Sequence, residues 1–471
     1  MKKRFLTLAA VVWIAAMALA AGRAKYVFYF IGDGMGVNQV NGTETYLAAL
    51  EGRIGTVPLC FTQFPAVGIV TTFSATNGVT DSAAAGTALA TGKKTKNGTL
   101  GMLADGKTSV ASVAEWAKAA GAAVGVSTSV SVDHATPAAF YAHVPDRGMY
   151  YEIGQQMVRS GYDFFAGSDF LKPVGPDSAQ AGTLYEQCAR AGYTVVRGYP
   201  EYVEKAKGAG RVVLLQPEEA SRRDRTAVPY AIDRTAGDLT LQDITRAGIS
   251  QLTAAGKDGF FLMVEGGKVD WACHSNDAAA VFHEVTDLDN AVRVAYEFYR
   301  QHPDETLIVI TADHETGGIA LGRGPYELHT ELLGCQKMSA EEYTRHLTEL
   351  RRADSQNFTW ETVQRDLQAN WGFWEKVKLT ERQTARLKAA FDSQAEGKGG
   401  DVKGHYASLS KLANTARDVM AEAALVGWQS GEHSNGYVPL YAIGAGAEKF
   451  AAKLDNTQIP LRIAEAAGWK H

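Results

Sequence analysis

The sequence is poor in cysteine and has no charge of one dominant sign. Four cysteines, Cys60, Cys188, Cys273 and Cys335, occur among 471 residues, and none stand in C-x-x-C spacing. They allow three full pairings, and the sequence selects none of them. Net charge is only −5 with both signs interspersed, which argues against a nucleic-acid binder. The one dense basic run, "RRDR" at Arg222–Arg225, reads as a solvated face. A P-loop is missing: counted from Gly86, the second glycine falls one place late and Lys94 stands where Ser or Thr belongs. Beyond the N-terminus no run is apolar enough to span a bilayer. Internal repeats and a separate binding module are also lacking.

What is present is apolar stock for a large core, 46% of the residues. Residues 1–24 stand apart. Lys2, Lys3 and Arg4 precede an apolar run from Phe5 to Ala20, and small residues follow at Ala18, Ala20, Gly22 and Ala24. This is the pattern of a secretory signal peptide, cleaved between Ala20 and Lys25. No cysteine lies there to carry a lipoprotein anchor. The expectation is an exported protein, periplasmic or secreted, whose mature chain is 25–471 and has no membrane partner.

Several short apolar runs end in polar outbursts. "YVFYFIGDGMG" delivers Asp33. "AAVGVSTSVSVDHATP" delivers Asp133, His134 and Thr136. "GFFLMVEGGKVDWACHSND" delivers Glu265, Asp270 and His274, and "TLIVITADHETGG" delivers Asp313 and His314. Helical patterns lie between, such as Thr108–Ala120 and Leu239–Ala255. Alternation of buried strands with amphipathic helices predicts an α/β fold: a three-layer α/β/α sandwich around a central, mostly parallel sheet. Ligands of such sheets bind beyond the carboxyl ends of the strands. The outbursts therefore converge on one place.

The residue types are those of divalent-metal sites, with Asp and His suiting zinc and carboxylate with hydroxyl suiting magnesium. Asp270 and His274, spaced i, i+4, share one helical face. Asp313 and His314 are adjacent, and a turn after Thr311 lets both reach inward. In "VTDSAAAGTALATG", Thr80 and Asp81 read as helix-start residues, so Ser82 lies where a helix N-terminus favours an anion or alkoxide. A capping serine against a tightly packed Ala/Gly helix is the plain alternative.

Taken together, "GDGMG", "TDSAAAGTA", "HATPAAFYAHVPDR", "VEGGKVDWACH", "TADHETGG" and the late "GEHSNG" resemble the alkaline phosphatase family, in order from Asp33 to His433. The resemblance implies hydrolysis of phosphate monoesters through a phosphoserine, with two Zn2+ and one Mg2+ per chain. Ser82 is then the nucleophile. One zinc takes Asp270, His274 and His433. The other takes Asp33, Asp313, His314 and the Ser82 oxygen. Magnesium takes Asp33, Thr136 and Glu265. Arg147 grips the phosphate through its planar fork, and Asp81 helps hold Arg147. Four carboxylates against three dications and Arg147 leave the pocket positive. Inorganic phosphate is therefore expected to bind tightly, as product and as inhibitor.

Two positions depart from the family pattern. His134 stands where some members carry Asp, and Trp271 where some carry Lys or His. Both are expected behind the metal ligands, where they tune metal affinity and phosphate release, the plain alternative being that His134 and Trp271 merely pack together. Replacing an acid with His134 removes a charge, so the third metal site is expected to be weaker or less selective. His433 is followed by Ser434 where Thr is usual. His143 reads as structural. A helical insertion at about 325–425, near the site entrance, is expected from the patterns at Ser339–Ala353, Trp360–Asn370, Leu379–Ser393 and Ser408–Ala424, with a mobile loop at Ser393–Gly404. A homodimer is common in the family. The rival readings are a phosphodiesterase of the same superfamily and a non-catalytic exported zinc-binding protein. A sulfatase fits poorly, because Ser82 is followed by three alanines rather than x-Pro-x-Arg.

Overall fold

The computed structural model describes residues 23–393 and 402–471. The signal-peptide reading falls almost wholly outside the described residues, as does most of the loop read at Ser393–Gly404. The strands are β1 (Tyr26–Gly32), β2 (Ala66–Thr71), β3 (Ala123–Thr128), β4 (Phe164–Gly167), β5 (Tyr193–Arg197), β6 (Arg211–Leu215), β7 (Phe260–Gly266) and β8 (Thr306–Thr311). Then follow β9 (Glu315–Thr316), β10 (Ala320–Leu321), β11 (Val426–Gly427), β12 (His433–Ser434), β13 (Val438–Gly444) and β14 (Lys453–Asp455).

Ten of them form one sheet in the order β14-β2-β13-β8-β1-β7-β3-β4-β6-β5. Every neighbouring pair is parallel except the two made by β13. The sheet is thus mostly parallel, as the alternating pattern predicts. Its central strands are apolar up to their carboxyl ends because helices cover both faces. Side chains on β1 show how. Phe28 meets Phe298 of helix Ala278–Gln301, with ring centroids 5.6 Å apart. Its neighbour Tyr29 points the other way, to Phe140 at 6.0 Å and to the Leu89 carbonyl of helix Ser82–Thr91. Each buried ring of this kind is worth about 1.5–3 kcal/mol of hydrophobic stabilisation.

Register sets the level of the site. Ile31 pairs with Glu265 on one side and Thr311 on the other, and Thr128 pairs with Glu265. The ends of β8, β1, β7 and β3 are therefore level, and Asp33 and Asp313 both follow two residues beyond a matched pair. β13 runs the opposite way, so its entry, not its exit, lies at this edge. That is why His433 precedes its strand while the other site residues end or follow theirs.

Helix Ser82–Thr91 is buried along its whole length. A Cβ at Gly86 would lie 3.3 Å from both Thr136 Cα and Ala139 Cβ, so only small residues let this helix approach the Thr136 segment. The helix expected at Thr108–Ala120 begins only at Val113. Asp105 holds Thr108 in a turn, and Ser112 with Glu115 forms a capping box that fixes the later start. The helix read at Leu239–Ala255 is found at Leu241–Ala254, capped by Thr240.

Between 325 and 425 stand helices Ala340–Ala353, Trp360–Trp371, Glu381–Asp392 and Val402–Ala423. Tyr343, Leu347, Leu367, Trp371, Leu387 and Leu412 are buried among them. Ser339, which caps the first, donates to Asp233 at 2.6 Å and ties the group to the sheet body. All four cysteines are unpaired. Among the described residues no helix is long and apolar enough to cross a membrane.

Candidate metal centre

Each carboxyl end of the central strands contributes a polar group to one buried cluster. Asp33, from the turn after β1, is fully buried beside Asp313 and His314 from the turn after β8. His314 Nε2 lies 3.4 Å from Asp33 Oδ1, 3.2 Å from Asp313 Oδ2 and 3.2 Å from Ser82 Oγ. A second group adjoins it. His274 Nε2 is 3.2 Å from both Asp270 Oδ2 and His433 Nε2, and His433 Nε2 is 3.7 Å from Asp270 Oδ1. Asp270, His314 and His433 also offer ligand atoms within 4.8 Å of one another.

The third group is Asp33, Glu265 and His134, again with ligand atoms within 4.8 Å. The sequence reading puts His134 behind the ligands; the structure puts it within ligand reach. Its Nδ1 is buried without a hydrogen-bond partner, while Nε2 lies 3.5 Å from Arg147 Nη2. Trp271 packs edge-on to the His134 ring at 5.9 Å, and Lys268 lies over Tyr230 at 3.4 Å and 5.1 Å from Trp271. Asp133 takes no part: its carboxylate turns away to accept from Leu171 N.

Several buried atoms of these groups lack partners, as oxygens that would face a cation do. Both Asp33 oxygens, Asp313 Oδ2, Glu265 Oε1 and Thr136 Oγ1 are buried and receive no hydrogen bond. Uncompensated polar groups of this kind are costly. All five atoms belong to the ligand sets read from the sequence. The donor chemistry, carboxylate and imidazole with one hydroxyl, is that of zinc and magnesium. The residues present therefore fit the metals.

Electrostatics agrees. Burial, then repulsion from Asp313, Asp270 and Glu265, pushes the Asp33 carboxyl well above the usual range. Burial raises Asp313 to about 7, with Asp270 adding to the effect. Burial raises Glu265 to about 8. Asp270 goes the other way: burial opposes it, but the hydrogen bond from His274 and the nearby imidazoles hold its carboxyl well below the usual range. The same bond lifts His274 to about 9. Burial lowers His314 to about 4 and His134 to about 3, and it lowers His433. Neutral imidazoles are the form that ligates metal.

Backbone atoms aim the candidate ligands. His274 Nδ1 donates to the Gly431 carbonyl at 2.5 Å and His433 Nδ1 to the Thr80 carbonyl at 2.8 Å, so in both rings Nε2 is the atom turned inward. Thr128 donates to Glu265 Oε2. These anchors escape the sequence reading. Thr316, inside the quoted "TADHETGG", contacts both Asp270 and His314 and was equally unread. His143 binds the Gly101 carbonyl and lies 3.4 Å from Glu115, away from the cluster.

Ser82 is the first residue of its helix, and Asp81 is the N-cap, with Oδ1 accepting from Ala84 N at 2.9 Å. Asp81 Oδ2 accepts from Arg147 Nη1 at 3.1 Å and Gly98 N at 3.0 Å. A guanidinium is thus tied to the residue that precedes the serine, and its other end reaches towards His134.

This constellation has the form of a hydrolase site, with a helix-N-terminal serine against clustered candidate metal ligands and an arginine tethered through the neighbouring Asp81. The profile described as alkaline phosphatase matches residues 24–166 and 224–469, and the chain belongs to that family. It is 30% identical over 450 residues to alkaline phosphatase 3 of Bacillus subtilis, covering 94% of this chain and 88% of that one. The crystal structure of Thermus thermophilus alkaline phosphatase superposes with a TM-score of 0.77 at 29% identity, covering 96% and 93% of the two chains. A cold-active alkaline phosphatase from Shewanella sp. gives 0.78 at 27%, covering 94% and 99%. The protein is a phosphatase.

Proposed function

We propose that the protein hydrolyses phosphate monoesters in two steps through a phosphoserine at Ser82, with two zinc ions and one magnesium ion bound. The observation that carries this is the set of buried, unpartnered oxygens of Asp33, Asp313, Glu265 and Thr136, with Asp33 grouped both with Glu265 and with Asp313 and His314, whose Nε2 lies 3.2 Å from Ser82 Oγ. Asp270, His274 and His433 would hold one zinc. Asp33, Asp313 and His314 would hold the other beside Ser82, and Asp33, Thr136 and Glu265 the magnesium, with His134 in reach. When bound, these cations supply Lewis acidity, making oxygen nucleophiles available at neutral pH and neutralising phosphoryl charge.

The chain supplies the rest. Ser82 sits at a helix N-terminus, where the unpaired N–H groups stabilise a developing alkoxide. Its oxygen attacks phosphorus and the alcohol departs; water then attacks the phosphoserine and frees Ser82. Arg147 holds two non-bridging oxygens in both steps, and Asp81 keeps the guanidinium from swinging away. A dianionic monoester suits this positive pocket better than a diester. Zinc storage would need neither Ser82 nor Arg147. The basic, apolar and small-residue order of the first 24 residues supports export, to the periplasm or beyond.

The test compares p-nitrophenyl phosphate with bis(p-nitrophenyl) phosphate, using the wild type and Ser82→Ala. The monoester should be strongly preferred. Ser82→Ala should lose at least about 10³-fold in kcat while keeping its zinc. Preference for the diester overturns the monoesterase reading, and full turnover by Ser82→Ala overturns the phosphoserine.

A further inference from the structure

Thr316 stands where the two zinc positions meet. It is fully buried on β9. Its Oγ1 donates to Asp270 Oδ1 at 2.5 Å and faces His314 Nδ1 at 3.2 Å. Asp270 belongs to one proposed zinc position and His314 to the other. The threonine itself is held firmly. Its N–H donates to the Gly34 carbonyl at 3.2 Å, its own carbonyl accepts from Gln39 Nε2 at 2.9 Å, and it pairs with His433 across β9 and β12.

A hydroxyl has one hydrogen to donate. An ionised Asp270 can only accept, so the hydrogen goes there. His314 must then bring Nδ1–H to the Oγ1 lone pair, and its Nε2 keeps a free lone pair. That Nε2 is the atom facing Ser82, Asp33 and Asp313. The other two imidazoles need no such relay. Each is anchored by a backbone carbonyl, which cannot donate. Only His314 leans on a rotatable hydroxyl, whose direction is set by a ligand of the neighbouring position.

We infer that Thr316 is a positioning residue that couples the two zinc positions: its hydroxyl fixes the His314 tautomer only while Asp270 accepts its hydrogen bond. This rests on the metal reading above. It gives Thr316 a role in how both ions are held.

The test is a zinc titration against a chromophoric chelator, with no turnover measured, on the wild type, Thr316→Ser and Thr316→Val. The wild type should take up two tightly held zinc ions, and Thr316→Ser should match it. Thr316→Val should lose about 10- to 100-fold in affinity at both positions, the usual cost of losing a ligand's hydrogen-bond anchor. If circular dichroism shows that Thr316→Val does not fold, Thr316→Ala compared with Thr316→Ser removes the same hydroxyl. Unchanged affinity without the hydroxyl, or weakening at one position alone, overturns the coupling. A wild type that takes up no zinc overturns the metal reading itself, before any variant is compared.

Discussion

Asp81 uses one carboxylate for two tasks. Oδ1 caps the Ser82 helix through Ala84 N, while Oδ2 accepts from Gly98 N and Arg147. The tasks separate by substitution. Asp81→Ala should lose about 1 kcal/mol of stability from the cap, measured by urea unfolding, together with catalytic efficiency. Asp81→Asn should keep the cap and lose only efficiency. Arg147→Ala should lower kcat/KM about 10- to 100-fold, the worth of a charge-assisted contact, and raise the phosphate inhibition constant in step. Unchanged phosphate inhibition would remove Arg147 from the phosphate. At this scale most of the site was legible. Asp33, Thr136, Glu265, Asp270, His274, Asp313, His314 and His433 are carried in motifs, and their side-chain chemistry is what a sequence displays. The carbonyls of Thr80 and Gly431 were not, because any residue has a carbonyl and only the fold selects which one faces an imidazole. The reach of His134 depends on a side-chain direction that spacing does not set.

Elements hold those residues level. Gly34 shows how tightly. It has φ 72°, and a Cβ there would lie 2.8 Å from Asp270 Cα. Only glycine lets the turn after β1 close onto the helix that carries Asp270 and His274. Gly34→Ala should destabilise the protein by about 1–3 kcal/mol and weaken zinc retention, read from melting curves with and without chelator. A variant that melts and binds as the wild type does would show that the turn tolerates a side chain. The strands β1, β3, β7 and β8 were legible as apolar runs with polar ends. The reversed direction of β13 was not, since periodicity carries no sign of strand direction. The early limit drawn at Thr108 failed for a local reason: the Asp105–Thr108 turn and the Ser112 box both use residues that also occur inside helices.

Across the whole molecule, the cluster makes stability depend on pH, and bound metal is expected to change that dependence. Asp33, Asp313 (about 7) and Glu265 (about 8) keep protons in the folded chain that an unfolded chain has already released. The unfolded state binds fewer protons, so stability falls as pH rises through those values. His274, raised to about 9, loses its contribution over the same range, between its ordinary 6.5 and that value. The lowered imidazoles of His314, His433 and His134 act only below 6.5, where the unfolded chain takes up protons first. Between about pH 6.5 and 9 every cited shift therefore points one way. Chelated protein should lose melting temperature steadily across that interval, and zinc with magnesium should flatten the slope by holding the carboxylates ionised. A slope unchanged by metal would contradict the assignment of these carboxyls as ligands.

The most direct measurement is anomalous scattering at the zinc edge from crystals of the metal-loaded protein. The account predicts two zinc peaks about 4 Å apart, one among Asp270, His274 and His433 and the other among Asp33, Asp313, His314 and the Ser82 oxygen. A single peak, or zinc bound away from Ser82, would contradict it.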